Sequence, residues 1–336
     1  MMHLKRITLP AGFAALAISQ AAARPAAPVP VARNGEKPRN VIFILSDDHR
    51  YDFMGFTGAV PWLQTPALDR MAREGACLKN AFVTTSLSSP SRASILTGLF
   101  THTHTVVDNQ APKPDDLVFF PQYLQQNGYR TAFFGKWHMG NQDDMPQPGF
   151  DHWEGFRGQG TYYDTVLNIN GERVKFDPEL YSTDILTDHA IDFVRDNEEG
   201  PFFIYLSYKS VHSGFQPSPS RKGMYKDEKA VYPPSFNVPE YGIPRLPSKD
   251  ADGRPLAGRG WYGESRLPDW VKNQRESWHR VDYQYHGALP YEEDFRNYCE
   301  TVTSMDDAIG RLLDFLQAEG LDEAALVIYM GDNGCT

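Results

Sequence analysis

The chain has 336 residues, a formal net charge of −10 and three cysteines. The acidic balance argues against a nucleic-acid binder, which needs a basic face, but it leaves room for a polyanionic sugar held in a locally positive cleft. Three cysteines make no disulfide framework, and the length suits one large α/β domain or two smaller ones.

The first residues read as an export signal. Lys5 and Arg6 supply positive charge, Ile7 to Ile18 is mostly apolar, and Ala21-Ala22-Ala23 offers a small-residue cleavage site. The apolar run is too short to span a bilayer, and a disordered tail is the alternative reading. A signal peptide over 1–23 implies a secreted or periplasmic protein. No cysteine stands beside the cleavage site to carry a lipid anchor, and the Pro- and Ala-rich stretch 24–39 reads as a flexible lead-in.

Asn40 to Ser46 is a β-branched apolar run, the pattern of a buried parallel strand, and it ends in Asp47 and Asp48. Thr65-Pro66 starts a helix with Leu68, Met71 and Ala72 on one face and a stop at Gly75. Ala76 to Thr84 suits a second strand, with Cys77 as a small buried hydrophobe. Ser88-Ser89-Pro90-Ser91-Arg92 then opens a helix that Gly98 closes, Pro90 taking the first helical position and Ser88 lying just outside it. Pro121 to Asn127 is a short helix, and Arg130 to Phe134 a strand leading into Gly135-Lys136-Trp137-His138. A helix follows over Asp184 to Asp196 and a strand over Phe202 to Leu206, which ends near Lys209 and His212. Tyr291 to Ala318 is a long helix, and Ala324 to Met330 is a final strand before Asp332-Asn333.

Strands alternating with helices predict an α/β fold: a large, mostly parallel sheet with helices on both faces. The chemically interesting residues all follow strand C-termini, where open α/β sheets bind ligands. The alternation breaks from about 213 to 289, a stretch rich in Pro, Gly and aromatic residues and too long for a plain loop. It reads as an insertion over the site. Its Trp261, Trp270, Trp278 and Tyr283 could stack on sugar rings or simply pack the insertion down.

The Ser88 run has two readings from its residues alone. It is an ordinary helix cap, or an anion site in which free helix N–H groups and the Arg92 guanidinium face a side-chain nucleophile. Asp47-Asp48 and Asp332-Asn333 supply oxygen donors suited to Ca²⁺ or Mg²⁺. One such pair is as well explained as a cap, but two pairs flanking the whole sheet with a nucleophile between them point to a cation. Lys136 and His138, two apart, can face one way; alone, either would be a surface residue. His102 and His104 lack a third partner and receive no role.

The run from Ser88 to Thr97-Gly98 resembles the sulfatase signature in its Ser form, and Gly135-Lys136-Trp137-His138 resembles that family's second signature. The resemblance extends from about Asn40 to Thr336 and implies an alkaline-phosphatase-like fold. It implies that Ser88 is oxidised to formylglycine by a bacterial maturase, and that Asp47, Asp48, Asp332 and Asn333 ligate a divalent cation, usually Ca²⁺. It further implies that Arg92 and Lys136 hold the sulfate, that His138 contacts the formylglycine hydroxyls and takes a proton, and that His212 protonates the departing oxygen. Lys209 is a weaker candidate for the His212 region.

The segments around DDHRYD and WVKNQRESWHRVDYQYHG are similar to bacterial N-acetylglucosamine-6-sulfatases and mucin-desulfating sulfatases, which implies a sulfated carbohydrate substrate. A phosphoric-ester hydrolase of the same superfamily and a non-catalytic glycan-binding remnant are the alternatives. The resemblance implies that family members supply a further lysine, another strand and a small C-terminal subdomain beyond the position of Thr336, so the sequence reads as a sulfatase cut short. The sheet is therefore expected to show an open edge at Met330, and the chain alone to be poorly stable and weakly active or inactive.

Overall fold

A computed structural model describes residues 38–140, 142–197, 200–232 and 291–334. The predicted signal peptide and the four insertion aromatics lie outside the described residues. Seven strands form one sheet: β1 (Asn40–Ser46), β2 (Arg130–Lys136), β3 (His152–Phe156), β4 (Val166–Ile169), β5 (Glu172–Lys175), β6 (Phe202–Ser207) and β7 (Ala325–Gly331). Their order is β5-β4-β3-β2-β6-β1-β7. The five strands from β3 to β7 across that order run parallel, while β4 and β5 add an antiparallel edge.

Strand alternation builds two cores, one on each face. Ile42, Ile44, Ala132, Phe134, Ile204 and Leu206 point to one side, where helices α1 (Pro66–Glu74), α5 (Ser182–Arg195) and α6 (Tyr291–Ala318) cover them. Phe43, Leu45, Phe133, Phe203 and Tyr205 point to the other, against Ala93 and Leu96 of α2 (Ser88–Thr97) and Leu124 of α4 (Phe120–Gln126). A short α3 (Thr101–His104) lies between α2 and α4 in sequence. Along α6 the residues Phe295, Cys299, Val302, Met305, Ile309, Leu312 and Leu316 recur at spacings of three and four and are all buried, the stripe of a core-facing helix. Each such side chain contributes roughly 1.5–3 kcal/mol by leaving water. Asp306 on the same helix accepts from the Ala67 and Leu68 amides at 2.9 and 2.8 Å, so it caps the start of α1.

Four expectations are corrected. Ala76 to Thr84 is loop, with Leu78 and Phe82 exposed; both sides of β1 are taken by β6 and β7, so this run has no neighbour to pair with beside it. Cys77 in the same loop is exposed. Ser88 is the first residue of α2 and Pro90 the third, because the extended residue that precedes the helix is Leu87. The strands carrying the two acidic pairs do not flank the sheet: β1 and β7 are adjacent, in register from Asn40 with Ala325 to Ser46 with Gly331. β7 is the outer strand among the described residues, with Leu326 and Ile328 exposed.

The β3–β5 unit escaped the sequence reading because its strands are only four or five residues long and β5 is exposed throughout. One signal was present. Asn170 and Gly171, both at positive φ (51° and 103°), make the two-residue turn between β4 and β5, the Asn-Gly signature of a tight hairpin.

Candidate active site

The parallel strands deliver their C-terminal ends to one side of the sheet, and the candidate residues follow them. Asp47 and Asp48 leave β1, Asp332 and Asn333 leave β7, Lys136 closes β2 with His138 behind it, and Lys209 and His212 follow β6. The first turn of α2 adds Ser88 and Arg92. All ten of these sequence-predicted residues except the partly exposed Asn333 are buried.

Arg92 is the hub. Its Nη1 donates to the Lys136 carbonyl at 2.9 Å and the Ser207 hydroxyl at 2.7 Å; its Nη2 donates to Asp47 Oδ1 at 3.1 Å and Asp332 Oδ2 at 2.9 Å. Lys136 Nζ pairs with the other Asp47 oxygen, donates to Gln159 Oε1, and stands 3.4 Å from Ser88 Oγ. The hydroxyls of Ser89 and Ser91 donate to the carbonyls of His138 and Asp332. The N-terminal turn of α2 is thus tied to the ends of both β2 and β7, which fixes Ser88 over the cluster.

Two of the site's own non-glycine residues are left-handed: Asp48 at φ 57° and His138 at φ 55°. Such positions persist where surrounding bonds hold them. The Asp48 amide donates to Asp332 Oδ1 at 3.0 Å, and the Asn333 amide donates to the same oxygen at 2.8 Å. His212 Nε2 lies 3.6 Å from Asp48 Oδ2, and its carbonyl accepts from Tyr162 Oη at 2.7 Å.

The electrostatics follow from burial opposed by counter-charge. Burial works to raise the Asp47 carboxyl, but Lys136, His212 and Arg92 outweigh it and hold the group well below the usual carboxylate range. Asp332 moves up, through burial first and the Asp47 charge second. Burial, with Lys136 and Arg92 adding to it, pushes His138 down to about 2. Burial brings His212 down to about 3 and Lys209 down to about 8. Both imidazoles are therefore neutral around pH 7, and His138 Nδ1 is buried without a hydrogen-bond partner.

Asp47, Asp48 and Asp332 each offer a carboxylate oxygen, all within 4.8 Å of one another. This is the one acidic or imidazole cluster of that kind among the described residues. Beside it the Asn333 Nδ2 is buried without a hydrogen-bond partner among the described residues, and the oxygen of that amide is the atom that could join the carboxylates. An all-oxygen donor set with no thiolate fits a hard divalent cation. His102 and His104 form no such group. His104 is buried, paired with Ser94 Oγ at 3.0 Å, and accepts from the Val106 amide at 3.1 Å.

Sequence reasoning missed Gln159, which steadies Lys136, Ser207, which bridges Arg92 to the Lys136 carbonyl, and Tyr162, which holds His212. The glycines on both sides of Gln159 marked a tight loop. Nothing local marked Ser207 or Tyr162.

The sulfatase family model matches residues 39–335. An N-acetylglucosamine-6-O-sulfatase of Bacteroides thetaiotaomicron is 32% identical over 334 residues, covering 89% of this chain and 58% of that protein. An N-acetylglucosamine-6-sulfatase of Capra hircus is 26% identical, covering 90% and 52%. A solved structure described as bound to its substrate, D-glucosamine-2-N,6-O-disulfate, superposes with a TM-score of 0.66 at 29% identity, covering 88% of this chain and 65% of that one. The chain spans little more than half the length of these two curated relatives.

Proposed function

The chain belongs to the sulfatase family, and on that premise we propose that it hydrolyses sulfate esters of glycans with a nucleophile made from Ser88. The observation that carries this reading is the meeting of Ser88 Oγ with Lys136 Nζ at 3.4 Å, beside a buried carboxylate triad that Arg92 also reaches. A hydroxyl beside a buried ammonium, on the same helix turn as a buried guanidinium, suits attack on an anionic ester better than on a neutral one.

Asp47, Asp48, Asp332 and Asn333 would hold the divalent cation, Ca²⁺ in the first instance. When bound it supplies Lewis-acid polarisation of the sulfuryl oxygens and favours an ionised attacking oxygen. Conversion of Ser88 to a formylglycine aldehyde, by a maturase the host provides, followed by addition of water, would supply two hydroxyls: one to attack sulfur, the other to expel sulfate as the aldehyde re-forms. An unmodified serine would end as a stable ester.

The chain's own groups do the rest. Arg92 and Lys136 bind and orient the sulfuryl oxygens through preorganised donors. His138, held neutral by burial and the cations around it, accepts a proton at its unpartnered Nδ1. His212 is depressed by burial and by Lys136 and Lys209; an arriving anion offsets those cations, raises its proton affinity and lets it protonate the leaving oxygen.

The B. thetaiotaomicron relative is named for N-acetylglucosamine-6-O-sulfate, and the solved neighbour binds a 6-O-sulfated glucosamine. A 6-sulfated glucosamine unit is accordingly the substrate we assign. Export through the N-terminal signal would put the enzyme where such polymers are met.

The test is sulfate release from N-acetylglucosamine 6-sulfate, run beside peptide mass spectrometry of Ser88. Release, with a Ser88 peptide lighter by the two hydrogens removed, is expected. Active protein holding only unmodified Ser88 overturns the nucleophile. Faster turnover of an aryl phosphate than of the aryl sulfate overturns the reaction class.

A further inference from the structure

Among the described residues, Lys209 is the cation of this site whose ammonium has no hydrogen-bond or ion-pair partner. It lies two residues beyond β6 and is only 7% exposed. Its ammonium makes no hydrogen bond or ion pair among the described residues, whereas Arg92 is shared by Asp47 and Asp332, and Lys136 by Asp47 and Gln159. Its ammonium sits 4.9 Å from the centroid of the Tyr162 ring.

Tyr162 fixes the geometry. Its hydroxyl donates to the His212 carbonyl, and the His212 amide in turn donates to the Lys209 carbonyl at 3.0 Å. One aromatic ring and one tight turn therefore hold Lys209 and His212 together. The charges that act on the ammonium are Asp47, Lys136 and Asp48, those of the candidate sulfate site itself. An ammonium taken out of water without a carboxylate is costly to keep, and a π face replaces only part of its hydration. Among the described residues no side-chain or backbone acceptor stands within hydrogen-bond distance of it.

We propose that the Lys209 ammonium is a third cationic ligand, with Arg92 and Lys136, of the sulfuryl oxygens of the bound ester, placed on the His212 side of the site. The assignment rests on the sulfate-ester reading above. It makes Lys209 a residue that contacts substrate, where the plainer role is a packing anchor on Tyr162.

Titration calorimetry of the purified protein with sodium sulfate, at a fixed low calcium concentration, tests it. Lys209→Met should weaken sulfate binding at least about tenfold, the scale of a lost charge-assisted hydrogen bond, with an unchanged sulfate-free melting temperature. Lys209→Arg should restore most of the affinity. Where the methionine variant is unstable, Lys209→Gln carries the same expectation. Equal sulfate affinity in the wild type and the neutral variants, or no sulfate binding by the wild type, overturns the assignment. Sulfate binding that depends on Lys209 without turnover of any sulfate ester sinks the proposed function and leaves Lys209 as a ligand; turnover with Lys209-independent binding does the reverse.

Discussion

Arg92 and Asp332, 240 positions apart in the chain, are joined by a 2.9 Å hydrogen-bonded ion pair, both side chains buried. The same Nη2 reaches Asp47 at 3.1 Å. One guanidinium thus ties the first turn of α2 to the ends of β1 and β7 and compensates two carboxylates that repel each other.

Removing that guanidinium leaves two buried carboxylates short of compensation. Arg92→Met should destabilise the chelator-treated protein by about 3–5 kcal/mol, the usual cost of breaking a buried pair from one side. Arg92→Lys should recover only part, since a single ammonium cannot span the acceptors a planar fork reaches. Urea unfolding measures this; a loss under about 1 kcal/mol for Arg92→Met would contradict the compensating role.

The carboxylate triad should make stability depend on divalent cations. Calcium at about a hundred times its dissociation constant adds roughly 2.7 kcal/mol by mass action, read as a higher melting temperature that chelator reverses. Asp48→Ala should abolish the calcium response. A calcium effect of equal size in that variant would place the ion elsewhere.

Ser88 makes few bonds, so its loss should separate chemistry from stability. Its hydroxyl lies at 3.4 Å from Lys136, a long contact. Ser88→Ala is expected to lower sulfate-ester turnover by at least about 10³-fold while moving the melting temperature little. Retained turnover would remove Ser88 from the reaction.

Gly135 stands at φ 107° immediately before Lys136, and a Cβ there would run into the Ser207 carbonyl oxygen. Gly135→Ala must part β2 from β6 or twist the strand end. We expect a loss of about 3 kcal/mol or more and weaker sulfate binding, because Lys136 moves with it. Denaturant unfolding and calorimetry read the two effects; a neutral alanine would show that the strands separate freely.

The His152–Glu154–His189 bridge ties β3 to α5 and should give a pH signature away from the site. The Glu154 hydrogen bond raises His189 above its ordinary value against the pull of burial. Burial works to raise Glu154, but its bonds to His152 and His189 outweigh it and keep it low. A raised histidine stabilises fully below its unfolded pKa near 6.5, and that contribution is lost as pH rises through the folded value. The melting temperature of wild type minus His189→Gln should be positive near about pH 5.5 and shrink towards about pH 8.5. A difference that is flat or grows with pH would show that the pair does not couple folding to protonation.

Four of the five parallel strands were legible in the sequence, β1, β2 and β6 because they are buried along most of their length. Asn40–Ser46 and Phe202–Leu206 are near-continuous apolar runs, and a 28-residue amphipathic helix is hard to mistake. The antiparallel edge was not, since β5 buries nothing and leaves no hydrophobic pattern. Ala76–Thr84 failed in the opposite sense. It has strand-like composition and no strand to pair with, and pairing is not written locally.

The candidate residues divide in the same way. Ser88, Arg92, Lys136, His138 and the acidic pairs stand in short motifs at strand ends and a helix start, so type and spacing alone brought them forward. What the motifs cannot contain is who faces whom. β1 and β7 lie nearly 290 residues apart yet pair directly, and only that adjacency brings Asp47, Asp48 and Asp332 within 4.8 Å of one another. The sharing of Arg92 between two carboxylates, and a lysine buried on Tyr162 with no counter-ion among the described residues, are likewise products of packing. Chain-local chemistry named the groups; sheet order and burial decided their charge states and which of them meet.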